Sequence, residues 1–210
     1  MVAADRIPQQ RCLPMPRPPR VIEVLLAIAV LACAMMSFQM GTVGRLLVGT
    51  VQLTAGLLLL LPRPLTRSCN TRQFLASLPA LALGGVGLQV ATPFAEWSSL
   101  TLILLGIGVT TCTVAYLSLG RSFGVLPAAR PLVHHGPYRL VRHPAYLGHM
   151  MILVACGLSN SPWAACFLAA CALPVLALRI RAEEQLLSET WTDYVAYCEH
   201  VRWRLCPMVW

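Results

Sequence analysis

Long apolar runs separated by short arginine-bearing segments set the pattern of this chain. Val21 to Met40 is 20 residues with one charge, Glu23, near its start. Leu46 to Pro62 is 17 residues with none, Phe74 to Ala95 is 22 with none, and Trp97 to Gly120 is 24 with none. A helix needs roughly 20 residues to cross about 30 Å of hydrocarbon, so these runs predict four membrane spans. A fifth apolar stretch, Tyr146 to Leu178, is broken by Ser159-Asn160-Ser161-Pro162, the composition of a tight hairpin tip. Its first arm, about 13 residues, rises only about 20 Å. The pair need not span fully, but it returns the chain to its starting side. The expected fold class is all-α: a polytopic membrane helix bundle of four spans plus a C-terminal helical hairpin, five to six membrane helices, with a cytoplasmic amphipathic tail helix.

The arginines test this count, because cytoplasmic loops collect positive charge. All 16 basic residues are Arg. Four precede the first span, three lie between the second and third, four follow the fourth and four follow the hairpin. Only Arg45 falls on the other face. The topology is therefore self-consistent, with both termini cytoplasmic. With 57% apolar and 11% charged residues, against roughly a quarter charged in soluble domains, the chain is not a disordered segment, a rod or a soluble nucleic-acid module. Its net charge of +8 is assigned to topology and anionic membrane lipids rather than to nucleic acid.

Nine cysteines show no C-x-x-C spacing, and Cys156, Cys166 and Cys171 sit in apolar runs. No metal site is expected, and the thiols read as small apolar filler. Gly84-Gly85-Val86-Gly87 lies mid-run with no strand before it, so close helix packing is its reading rather than dinucleotide binding. The Pro- and Arg-rich residues 1–20 do not read as a removable signal peptide.

Polar chemistry collects in two cytoplasmic segments, the loop Leu119 to Tyr146 and the tail from Arg179. In the loop, Pro144 suits the first position of a helix, where its missing N–H costs nothing, and His143 then caps that helix. The unpaired first-turn amides and the helix dipole make a site for an anion, which Arg142 would reinforce. In the tail, helical spacing puts Arg179 and Glu183 one turn apart, with Ile180, Glu184, Leu187, Trp191, Tyr194 and Cys198 along another face. A carboxylate on an apolar face at the membrane boundary is costly unless it meets a cation. Because the two segments flank the hairpin, His143, Glu183 and Glu184 are expected on one membrane face and close together. A ligand with a carboxylate at one end, a positive centre at the other and a flat ring for Tyr138 or Tyr146 suits that set; S-adenosylmethionine is such a ligand.

The sequence Leu119-Gly120-Arg121-Ser122-Phe123, then Leu132-Val133 with Gly136-Pro137-Tyr138, then Arg142-His143-Pro144-x-Tyr146-x-Gly148, then Glu183-Glu184-x-x-Leu187, Tyr194-x-x-Tyr197 and Pro207 resembles the isoprenylcysteine carboxyl methyltransferase and phospholipid methyltransferase superfamily of integral membrane enzymes. The resemblance covers about the last 90 residues. It implies an S-adenosylmethionine pocket lined by Leu132, Val133, Tyr138, His143, Tyr146 and Glu183, with Pro144 at the same helix start. It also implies that Arg179 faces the methyl acceptor, and Arg142 and Glu184 match the motif as catalytic candidates. Trp191 stands where relatives often carry Gly, so the bend expected there is not supported by its residue. The implied organisation is an N-terminal segment 1–20, a span bundle 21–118 and a cofactor-binding catalytic region 119–210.

The expected activity is methyl transfer to a lipophilic acceptor, most directly carboxyl O-methylation of the isoprenylcysteine type, for which Arg179 would position the anion. N- or S-methylation is the alternative and would need a base, His143 or Glu184. Two rivals remain: a nicotinamide-dependent membrane reductase, since sterol reductases end in a similar Arg-His-Pro segment but are much longer, and a non-catalytic membrane protein.

Overall fold

A computed structural model describes residues 20–61, 67–68, 97–125 and 128–210. The predicted span Phe74–Ala95, with its Gly patch, lies outside the described residues, as do residues 1–19. What is described is helical: α1 (Arg20–Gln39), α2 (Val43–Leu60), α3 (Ser99–Leu119), α4 (Pro144–Asn160), α5 (Pro162–Thr190) and α6 (Asp193–His200). Four of these, α1, α2, α3 and α5, are long and apolar enough to cross a membrane. Two dipeptides, Arg67–Ser68 and Ala128–Ala129, pair antiparallel and tie the segment after α2 to the segment after α3.

Local chemistry fixes the ends of these helices. Thr42 and Ser98 cap α2 and α3, each accepting from a first-turn amide, which satisfies donors the helix itself leaves open. At the hairpin tip Ser161 closes α4 and opens α5, accepting from Ala164 N, and Pro162 takes the first helical position. The outer faces carry Leu25, Ile28 and Met35 on α1, Ile103 and Leu117 on α3, and Phe167 and Leu178 on α5, all exposed. Exposed apolar surface of this extent suits hydrocarbon rather than water.

The helices meet on small residues. A Cβ at Gly148 of α4 would lie 2.7 Å from the Cys112 backbone N of α3 and 2.8 Å from Gly108 O, so glycine allows α3 and α4 to approach backbone to backbone. On the other side of the bundle, a Cβ at Gly56 would lie 2.6 Å from Leu31, and Ser37 Oγ donates to Gln52 Oε1 across α1 and α2 at 3.1 Å.

Hairpin geometry decides where the chemistry goes. α4 has 17 residues, about 25 Å of rise, and α5 has 29, about 43 Å. Antiparallel packing returns residues near Arg179 to the level of Pro144. The last turns of α5 run on past the apolar stretch, and Pro174 sits inside the helix without ending it.

Two expectations change here. The amphipathic tail helix is not separate from the hairpin: Arg179–Thr190 is the end of α5 itself. Nor is the stripe from Ile180 to Cys198 continuous. Trp191 takes extended angles, φ −121 and ψ 116, and the chain turns into α6. That bend needs no left-handed backbone, so Trp serves as well as Gly.

Candidate active site

The segment from Gly136 to Tyr146 lies across the ends of α3 and α5. Gly136 has φ +61, a conformation that favours glycine, and starts a 3-10 turn Gly136–Arg139 that buries Tyr138. His143 caps α4 and Pro144 is its first residue, as expected.

Glu184 is the hub of this region. Its Oε1 accepts from Arg142 Nη1 at 2.8 Å and lies 3.3 Å from His143 Nε2, and its Oε2 accepts from Arg204 Nε at 2.8 Å. Arg142 also donates to Cys198 Sγ and to the Arg202 carbonyl. The guanidinium therefore faces the tail and not the helix start, where it was expected to reinforce an anion site. Burial opposes the charge on Arg142, but the Glu184 carboxylate prevails and holds it above its ordinary pKa.

The C-terminal segment closes over the hub. Arg142 N and His143 N donate to the carbonyls of Trp203 and Arg204, Arg204 N donates to the Trp210 carbonyl, and the Arg204 guanidinium lies 5.4 Å from the Trp210 ring centroid. Tyr197 Oη donates to the Tyr138 carbonyl at 2.8 Å. Burial raises the Tyr197 hydroxyl to about 12, and burial with the nearby Glu183 charge raises Tyr138 further, so both stay protonated near neutral pH.

One turn before the hub a second chain of bonds begins. Arg179, 4% exposed, donates through Nε to Tyr146 Oη at 3.1 Å and through Nη2 to the Val125 carbonyl. Tyr146 Oη donates to Glu183 Oε2 at 2.7 Å, and the Tyr146 ring stacks on His143 at 5.6 Å between centroids. Glu183 and Glu184 are adjacent in sequence yet face different partners, because successive helix positions lie about 100° apart.

These side chains border a cavity of about 470 Å³, within the ordinary range for small-molecule sites. Leu132, Val133, Tyr138, His143, Tyr146 and Glu183 all line it, with Arg142 and Arg179. Pro144 and Glu184 do not; Pro144 is fully buried in the helix start, and Glu184 borders a shallower, adjoining cleft that shares Arg142 and Tyr194 with the cavity. Away from this rim the cavity continues between α1, α2, α4 and α5 along Leu26, Val30, Val51, Ala55, Leu153 and Ala172. It thus joins a polar mouth to an apolar arm.

Residues 94–193 match the family model of the phospholipid methyltransferases (PEMT). This family belongs to the superfamily of integral membrane methyltransferases. The PEMT match, just under half of the chain, spans α3, the loop, the hairpin and Glu183 and Glu184, and so includes the cavity's polar mouth. It points to a methyltransferase, and with the apolar helices to an integral membrane protein. A comparison with curated proteins gave no match.

Sequence reasoning missed three parts of the site. Arg204 reads only as a topology charge, the Val125 carbonyl gives no signal at all, and His149 of α4, which lines the cavity with Tyr116 of α3, falls inside an apolar run. An ionisable residue inside an otherwise apolar helix was the available signal for His149. Among the described residues no group of His, Cys, Asp and Glu is placed to hold a metal ion.

Proposed function

We propose that this protein transfers a methyl group from S-adenosylmethionine to a lipophilic acceptor, on the cytoplasmic side of its membrane. The observation that carries the reading is one cavity bordered by six of the seven residues expected at the donor site, all but Pro144, and continuing into an apolar arm. The residues fit the donor's chemistry: Glu183 offers a carboxylate, and Tyr138 and Tyr146 offer aromatic surface. When bound, the donor supplies an electrophilic methyl group that needs no further activation. Tyr146, held between Arg179 and Glu183, keeps the mouth in one geometry, and the apolar arm orients the acceptor and excludes water. Glu184 and Arg142 hold the loop rather than touch the reactants. Arginines on the loop and tail put the mouth on the positive, cytoplasmic side.

Two acceptor classes share a hydrocarbon chain that suits the arm. One is a carboxylate of the isoprenylcysteine type; the other is an amine, as on a phospholipid, or a thiol. Arg179, the cation assigned to grip a carboxylate, donates through Nε and Nη2 to Tyr146 and Val125, which fixes its place at the cavity for either class. The test is calorimetric titration of detergent-purified protein with S-adenosylhomocysteine, followed by incubation of native membranes with methyl-labelled donor. Saturable binding and label in lipid or protein are expected. Tight binding of a reduced nicotinamide instead would mean a reductase, and silence to both a non-catalytic protein.

A further inference from the structure

The cavity wall holds a polar cluster that plays no part in the roles assigned so far. Tyr116 and Cys112 come from α3 and His149 from α4, where Gly108 and Gly148 let the helices touch. Tyr116 Oη lies 3.3 Å from His149 Nε2, and His149 Nδ1 lies 3.0 Å from the Ala145 carbonyl. A carbonyl can only accept, so Nδ1 carries the hydrogen and the Nε2 lone pair receives the Tyr116 hydroxyl. Cys112 Sγ lies 3.2 Å from the same carbonyl and 3.4 Å from His149 Nδ1; with Nδ1 bearing a hydrogen the thiol donates to the carbonyl, and Phe123 packs on the Tyr116 ring at 4.5 Å between centroids. Tyr116 and His149 both border the cavity. A hydroxyl aimed at an imidazole with a fixed tautomer, inside a membrane helix pair, is the arrangement of a proton acceptor.

We propose that Tyr116 and His149 are the proton-accepting pair of the methyl transfer, with Tyr116 touching the acceptor and His149 acting through it. The inference rests on the methyltransferase reading and narrows the acceptor to one that sheds a proton, an amine or a thiol. The acceptor's nitrogen or sulfur forms a bond to the methyl carbon as the carbon–sulfur bond of the sulfonium breaks, leaving its electron pair on that sulfur. The acceptor's proton passes to Tyr116 Oη as the Tyr116 proton passes to His149 Nε2, and water collects it when products leave. The positive charge of the sulfonium ends on the imidazole, so the buried cavity holds the same net charge before and after. The titratable groups nearest Tyr116 are Cys112 on α3, Tyr138 on the loop and Tyr146 on α4, and Arg179 and Glu183 of α5 border the same cavity.

The test uses purified protein with dodecylamine, dodecanethiol and an S-prenylated N-acetylcysteine as acceptors, and the variants Tyr116→Phe and His149→Gln. Wild type is expected to methylate the amine or the thiol, and both variants to bind S-adenosylhomocysteine as wild type does but to turn over about 100-fold more slowly. The wild-type fall in kcat at low pH, where His149 is protonated, should vanish in His149→Gln. Histidine ¹⁵N spectra of the protein without ligand should show Nδ1–H and a bare Nε2. Unchanged turnover in either variant that retains binding, a persisting acid limb, an Nε2–H tautomer, or methylation confined to the prenylated carboxylate overturns the proposal. Absent cofactor binding in wild type removes the methyltransferase reading itself, and the pair with it.

Discussion

Replacing Glu184 with Gln removes one negative charge from between Arg142, His143 and Arg204 while keeping the shape of the side chain. The carboxylate accepts two charged hydrogen bonds of 2.8 Å, with His143 at 3.3 Å. An amide has one oxygen, so it can keep either Arg142 or Arg204, and its NH₂ group then faces the other guanidinium. The Arg142 and Glu184 side chains are only 10% and 11% exposed, whereas Arg204 is 35% exposed. The Arg204 arm is therefore discounted to about 1 kcal/mol or less. Breaking the buried arm, or leaving Arg142 with a neutral partner, costs about 2–3 kcal/mol. The expected loss is about 3 kcal/mol, roughly two decades in the unfolding constant. Denaturant or SDS unfolding of the protein in mild detergent measures it. Limited proteolysis should then cut residues 202–210 first, because their backbone is held to the loop by Arg142 and His143. A loss under about 1 kcal/mol would refute the argument that Glu184 is the hub, since exposed pairs contribute no more than that.

Two further outcomes check the architecture. Glu183→Gln keeps an oxygen for the Tyr146 hydroxyl, so the protein should stay inserted and folded while affinity for S-adenosylmethionine falls about tenfold or more, the worth of one charged hydrogen bond; unchanged affinity in a titration would remove Glu183 from the pocket. Gly148→Ala puts a Cβ 2.7 Å from the backbone of α3, so the helices must part, and unfolding measurements should show a loss of about 1–3 kcal/mol.

Much of the candidate site was legible because its signals are local. Pro144 after His143 marks a helix start wherever it occurs, and Arg179 four residues before Glu183 places both near one helix face. The hairpin tip at Ser159–Pro162 was readable from turn chemistry, and its arm lengths then brought the two polar segments together. The direction of the Arg142 guanidinium is not legible, for the opposite reason. Its partner depends on where residues 202–204 cross the loop, and that crossing is made by backbone bonds between Arg142 and Trp203 and between His143 and Arg204, which no side-chain pattern encodes. The same holds for His149, whose significance lies in Tyr116, 33 residues earlier.

From sequence alone came the membrane character, the side on which arginines collect, the hairpin, and the identities of the residues around the cavity's mouth. Each follows from a one-dimensional property, the length of an apolar run or the spacing of a motif, that solvent and helix geometry convert directly into structure. Tertiary packing decided which of two neighbouring glutamates turns to the cavity and which to the scaffold, where the C-terminal segment closes, and that α3 and α4 approach closely enough to join a tyrosine to a histidine. Those outcomes depend on distances between segments far apart in the chain, and such distances are set only when whole helices pack.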